Sequence, residues 1–203
     1  MLKTAAAAAA PPAVAESPAQ ERRVPGEAGI WVLILGDMTI FAVLFVTYLY
    51  YRADQADLFT RSQATLDQTY GAVNTLLLLG SSLLVVLAVR AIRRGIRGAP
   101  MLIAGAMACG VAFSVLKFVE YHAKVSHDLT AQTNDFYMFY FVLTGLHWFH
   151  LILGLTALTA LLVLSRRPTL TRHQFAFVEG GACFWHMVDL LWIVLFPLLY
   201  LVR

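Results

Sequence analysis

His186 and Asp189 stand three residues apart in an otherwise apolar stretch, and His147 and His150 repeat that spacing in another. Residues three apart share a helix face, so each pair offers imidazole or carboxylate groups for metal ligation, proton exchange or hydrogen bonding between helices. Glu179 lies seven before His186 and returns to the same stripe if the helix reaches back through Gly180 and Gly181. Glu120 follows Lys117 by three, the spacing of an ion pair within one helix, with Lys117 also able to snorkel outward. Asp37 and Asn74 each stand among apolar neighbours. An ionisable side chain within a membrane span is costly and marks a bundle interior or a partner. His-x-x-His alone is a weak metal signal, so hydrogen bonding in a packed bundle is the simpler reading and metal or heme ligation the alternative. Asp37 suits either a structural hydrogen bond or a proton or lipid-headgroup site.

The elements that must carry these residues follow from composition. Of 203 residues, 60% are hydrophobic and 13% charged, and the mean hydropathy is +0.71. Such a chain has too much apolar surface for a water-soluble fold. Spans of roughly 20 apolar residues are expected from a bilayer core of about 30 Å. They are found at 30–51, 71–89, 101–121, 136–164 and 183–202, the last starting nearer 179 if the glycines are helical. The expectation is an all-α, polytopic five-helix bundle over residues 29–203, preceded by a disordered cytoplasmic tail over 1–28. The polar stretch 53–70 reads as a loop with room for a surface helix. Gly80, Ser81 and Ser82 suggest close helix contact, and Trp31, Trp148, Trp185 and Trp192 suggest interface anchors or packing.

Ten of the fifteen Lys and Arg residues fall in the tail, in 90–97 and in 166–172. Excess positive charge stays cytoplasmic, which sets the N-terminus inside and the C-terminus outside, in a bacterial inner membrane. Asp37, His186 and Asp189 then share the cytoplasmic half, with Asp37 about 10 Å below its surface, and an Asp37 to His186 pairing is geometrically open. The basic charge follows topology and builds no nucleic-acid surface. Cys109 and Cys183 lack CxxC spacing and suggest neither zinc nor a redox compartment.

Several strings occur together in order: Gly36-Asp37-Met38 with Phe41; Asn74-Thr75 then Ser81-Ser82; Phe113, Glu120 and Tyr121; Thr144-Gly145-Leu146-His147 with His150 and Gly154; Glu179, then Trp185-His186-Met187-Val188-Asp189 and Trp192. Over residues 29 to 203 this pattern resembles the heme-copper oxidase subunit III family. The five-helix length and the Gly-Asp-Met opening are similar to short forms and to the nitric oxide reductase accessory branch. The long form has seven helices, and losing the first two preserves orientation. The resemblance implies a buried acid at Asp37 where long forms have glutamate. It also implies bound phospholipid as an expected companion, although the family's lipid cleft uses the two missing helices.

The implied function is a subunit that carries no redox centre, stabilises subunit I, supports proton uptake and contacts subunit II and membrane lipids in aerobic electron transport. Heme and copper would reside on the partner. An accessory role in a nitric oxide reductase is one alternative. Others are an autonomous heme or metal protein using His147, His150, His186, Glu120 and Glu179, and a proton carrier using Asp37, Glu120 and Asp189.

Overall fold

A chain in a bilayer must satisfy its backbone N–H and C=O groups within each segment, so every long apolar stretch becomes a helix. The computed structural model describes residues 28–202. They form α1 (Ala28–Asp54), α2 (Ala56–Gln63), α3 (Gln68–Arg93), α4 (Ala99–Ser126), α5 (Asp135–Ser165) and α6 (Arg172–Phe196), then a π-helical turn (Pro197–Leu201). All but α2 are long and apolar enough to cross a membrane. The chain is an all-α, multi-pass integral membrane protein. The expected tail lies outside the described residues, apart from Ala28, which opens α1.

The spans outrun their apolar cores because polar side chains cap their ends. Asp67 accepts a hydrogen bond from the Thr69 N–H at 2.8 Å where α3 begins, and that bond holds its carboxyl below the usual range. Asn134 accepts one from the Tyr137 N–H at 3.0 Å at the start of α5. Thr171 and Gln174 form a reciprocal capping box. It starts α6 well before residue 183, so Gly180 and Gly181 are helical after all.

Helix α6 is the axis of the bundle. In an 18-residue apolar stretch of it 61% of the residues are buried, against 11% in that of α1, which lies outermost against α5 and α6. Helices α3, α4 and α5 complete the packed block. Trp185 occupies its centre, fully buried, and its ring fits only because two neighbours lack a side chain. A Cβ would come within 2.7 Å of the ring at Gly154 and 2.9 Å at Gly110. Gly80 faces open space instead, contrary to expectation. The close contact belongs to Ser81, whose hydroxyl donates to the Ala106 carbonyl and accepts from Trp185 Nε1–H, both at 3.0 Å.

The polar stretch after α1 does contain a surface helix, α2. Its Phe59 packs between the rings of Tyr48 and Phe136 at 5.4 and 5.7 Å, closing the bundle end opposite the arginines.

Adding a methyl at Gly154 should overpack the Trp185 contact. Gly154→Ala is expected to lose stability, within the about 1–3 kcal/mol typical of overpacking, whereas Gly80→Ala should stay at or above wild type. Thermal unfolding of the purified chain in detergent checks both.

Candidate functional site

Lys117 and Glu120 lie one helical turn apart on α4, and the bundle closes over them: they are 1% and 5% exposed. Lys117 therefore does not snorkel outward. Its Nζ donates to Glu120 Oε2 at 2.9 Å, to the Tyr140 hydroxyl at 3.2 Å and to the Tyr200 hydroxyl at 2.9 Å. Both tyrosines donate in turn to Glu120 Oε1, at 2.8 and 2.6 Å. The rings of Tyr121, Tyr140, Trp192 and Tyr200 surround the ammonium, with centroids 4.9 to 5.6 Å away. The pair is thus neutral as a unit, with every Lys117 N–H given a hydrogen-bond acceptor.

Tyr200 reaches this cluster through the π-helical turn, in which the Val202 N–H bonds to the Pro197 carbonyl at 2.9 Å. Next to the cage, His147 is fully buried with its ring 5.6 Å from Phe113 and 5.2 Å from Trp192. Neither ring nitrogen has a hydrogen-bond partner among the described residues, so the interhelical bond expected of His147 is not formed. The side-chain atoms of Asn74 are likewise buried without hydrogen-bond partners among those residues, and the Asp189 carboxyl is buried beside the Ser82 hydroxyl. Trp192 instead spends its Nε1–H on Thr75, at 3.1 Å.

Asp37 pairs with His150 Nε2 at 3.3 Å and not with His186. The reason is lateral position: α1 rests on the α5 and α6 side, while His186 faces α3, where its Nδ1 lies 2.7 Å from the Ser82 hydroxyl. His150 Nδ1 lies 2.8 Å from the Leu146 carbonyl, which completes its hydrogen bonding. Glu179 is drawn away from the His186 stripe by Arg93, at 2.6 Å.

The eight candidate residues therefore form no single centre. Glu120 belongs to the lysine cage, Asp37 and His150 to each other, and His186 and Glu179 to partners on α3. Among the described residues, no three His, Cys, Asp or Glu side chains are grouped so as to hold a metal ion. His150, His186, Glu120 and Glu179 thus each face a different partner, and Asp37 and Glu120 belong to separate clusters. What the arrangement does is hold helices together.

Residues 25–202 match the family model described as cytochrome c oxidase subunit III. The chain belongs to this family. Among its relatives, cytochrome c oxidase subunit 3 of Alkalihalophilus pseudofirmus is 32% identical, over 85% of this chain and 84% of its own. The subunit 3 of Synechocystis is 31% identical, over 85% and 74%. A protein of Aeropyrum pernix named heme-copper oxidase subunit I+III is 28% identical over 85% of this chain, which spans 22% of that longer protein.

Beside the Asp37 to His150 pair, a groove of about 610 Å³ lies between α1, α5 and α6, lined by Leu33, Phe149, Leu153, Ala157 and Phe177. Asp37 keeps 18% of its side chain exposed there. The sequence reading missed Tyr140, Tyr200, Ser82 and Arg93 as partners. Tyr140 carried a signal, since it stands seven before His147 and so shares its stripe. Tyr200 carried none, because a π-helical turn sets its direction.

Removing one member of the lysine cage leaves a buried charge. Glu120→Ala is expected to cost about 3–5 kcal/mol, and Lys117→Met combined with Glu120→Gln much less than the two single changes together. A double-mutant cycle on unfolding in detergent measures it.

Proposed function

We propose that this chain serves as subunit III of a heme-copper terminal oxidase in the cytoplasmic membrane, a non-catalytic subunit that packs against subunit I. The observation that carries this reading is the family match across nearly all of the described residues. The Aeropyrum relative supports the partnership, since its name places subunits I and III in one polypeptide. In this reading heme and copper reside on subunit I, subunit II completes the complex, and the chain's own polar side chains, the Asp37 to His150 pair apart, serve packing. Ten Lys and Arg residues near one set of span ends support an N-terminus inside.

The α1 groove suits a phospholipid acyl chain. Its walls are almost wholly apolar, and the Asp37 to His150 pair gives it one polar, titratable edge. The Asp37 carboxyl and the His150 imidazole, 3.3 Å apart, are the pair this reading assigns to supporting proton uptake by the complex.

Purification through a tag on the full-length chain is expected to bring down a heme-copper subunit I, seen by its heme spectrum, bound copper and oxygen reduction. A purified complex without such a subunit overturns the proposal, and one that reduces nitric oxide but not oxygen moves the chain to the accessory branch. Filling the groove with Ala157→Phe is expected to lower the phospholipid retained per complex, read by mass spectrometry, while subunit I stays bound.

A further inference from the structure

Asp37, Glu120 and Glu179 each face a basic partner, at 3.3, 2.9 and 2.6 Å. Asp189 has none among the described residues, although it is 3% exposed and lies near the middle of its span, Arg172–Leu201. It is buried beside the Ser82 hydroxyl of α3. That hydroxyl lies 2.7 Å from Nδ1 of His186, which stands one turn before Asp189 on α6. Carboxyl, hydroxyl and imidazole thus stand in series.

The imidazole end of the series is open. His186 Nε2 has no hydrogen-bond partner among the described residues and is not sealed by them. Leu190 and Ile193, four and seven residues further along the same face of α6, are 48% and 42% exposed, so no helix among the described residues covers that strip. The other ionisable groups of the neighbouring helices are engaged elsewhere. Glu179 is held by Arg93 of α3, His150 of α5 holds Asp37 of α1, His147 packs on Phe113 and Trp192, and Lys117 of α4 lies in its cage. The Cys183 thiol is half-buried one turn before His186.

A structural hydrogen bond to Ser82 needs no more than an amide or a hydroxyl at position 189. A carboxylate there carries a buried charge without a counter-ion, and a proton is the smallest group that relieves it. An imidazole takes a proton at one nitrogen while giving one up at the other, and a hydroxyl does the same at its single oxygen.

We propose that Asp189, Ser82 and His186 form a proton-loading site filled from the open face of α6. A proton arriving at Nε2 forms an N–H bond there, the Nδ1 proton passes to Ser82 Oγ, and the Ser82 proton passes to Asp189. The imidazole ends neutral with its tautomer exchanged, the hydroxyl ends with its hydrogen reversed, and the carboxylate ends as a carboxylic acid. In the isolated chain the proton donor is water. The site goes beyond the packing role of the other polar side chains, and it does not depend on the chain's being an oxidase subunit.

Infrared spectroscopy of the full-length chain in detergent would follow the C=O stretch of protonated Asp189, assigned by its loss in D189N, through a pH titration and then on mixing with D2O. The band is expected to appear as the pH falls and to shift promptly on deuteration. S82A removes the hydroxyl, and H186Q keeps a hydrogen-bonding side chain that cannot exchange tautomers; each is expected to slow that shift by about a hundredfold. S82T, which retains a hydroxyl, should exchange as the wild type does. Absence of the band at every pH at which the chain stays folded overturns the proposal. So does an exchange rate unchanged in S82A and H186Q, or one slowed as much in S82T as in S82A. Should D189N fail to fold, Asp189→Glu assigns the band by moving it.

Discussion

A lysine and a glutamate sealed inside a membrane bundle constrain everything around them. Neither charge has water to fall back on, so each donor and acceptor must be met by the protein, with geometry good enough to offset desolvation. Tyr140 from α5 and Tyr200 from the end of the chain meet that demand, and four aromatic faces enclose the ammonium. The cluster thereby ties α4, α5 and the terminal turn into one unit. The departure from α-helical geometry after Phe196 belongs to that tie, because Tyr200 delivers its hydroxyl from within the π-helical turn.

Elsewhere the bundle follows a second rule. In lipid, helices gain little from hiding apolar surface, so they are held by close packing and by interhelical hydrogen bonds. Gly110 and Gly154 let the Trp185 ring approach two backbones, and Ser81 links that ring to α4. Thr75 with Trp192 and Ser82 with His186 repeat the device between α3 and α6. Helix α1 lies outside this block, joined by the Asp37 to His150 pair and by a few aromatic contacts, and the looser seam leaves a groove.

These two rules explain why a chain with several histidines and buried acids reads as structural. His150, His186 and His147 answer to different neighbours: a carboxylate for His150, a hydroxyl for His186, and two aromatic rings for His147. Side chains spent on separate contacts do not converge on one ion.

The five spans, the membrane setting and the Lys117 to Glu120 pair were legible in the residues alone, because run length, hydropathy and an i, i+3 spacing are properties of the local chain. The family, too, could be read from short strings in order. Helix ends were not, since caps such as Thr171 with Gln174 extend a helix beyond its apolar core and through two glycines. Partners were the least legible. Depth along a helix follows from counting residues, and depth made Asp37 and His186 candidates for each other. Which face meets which neighbour is set by lateral packing, and packing placed α6 between them, turning His186 to Ser82 and leaving Asp37 to His150.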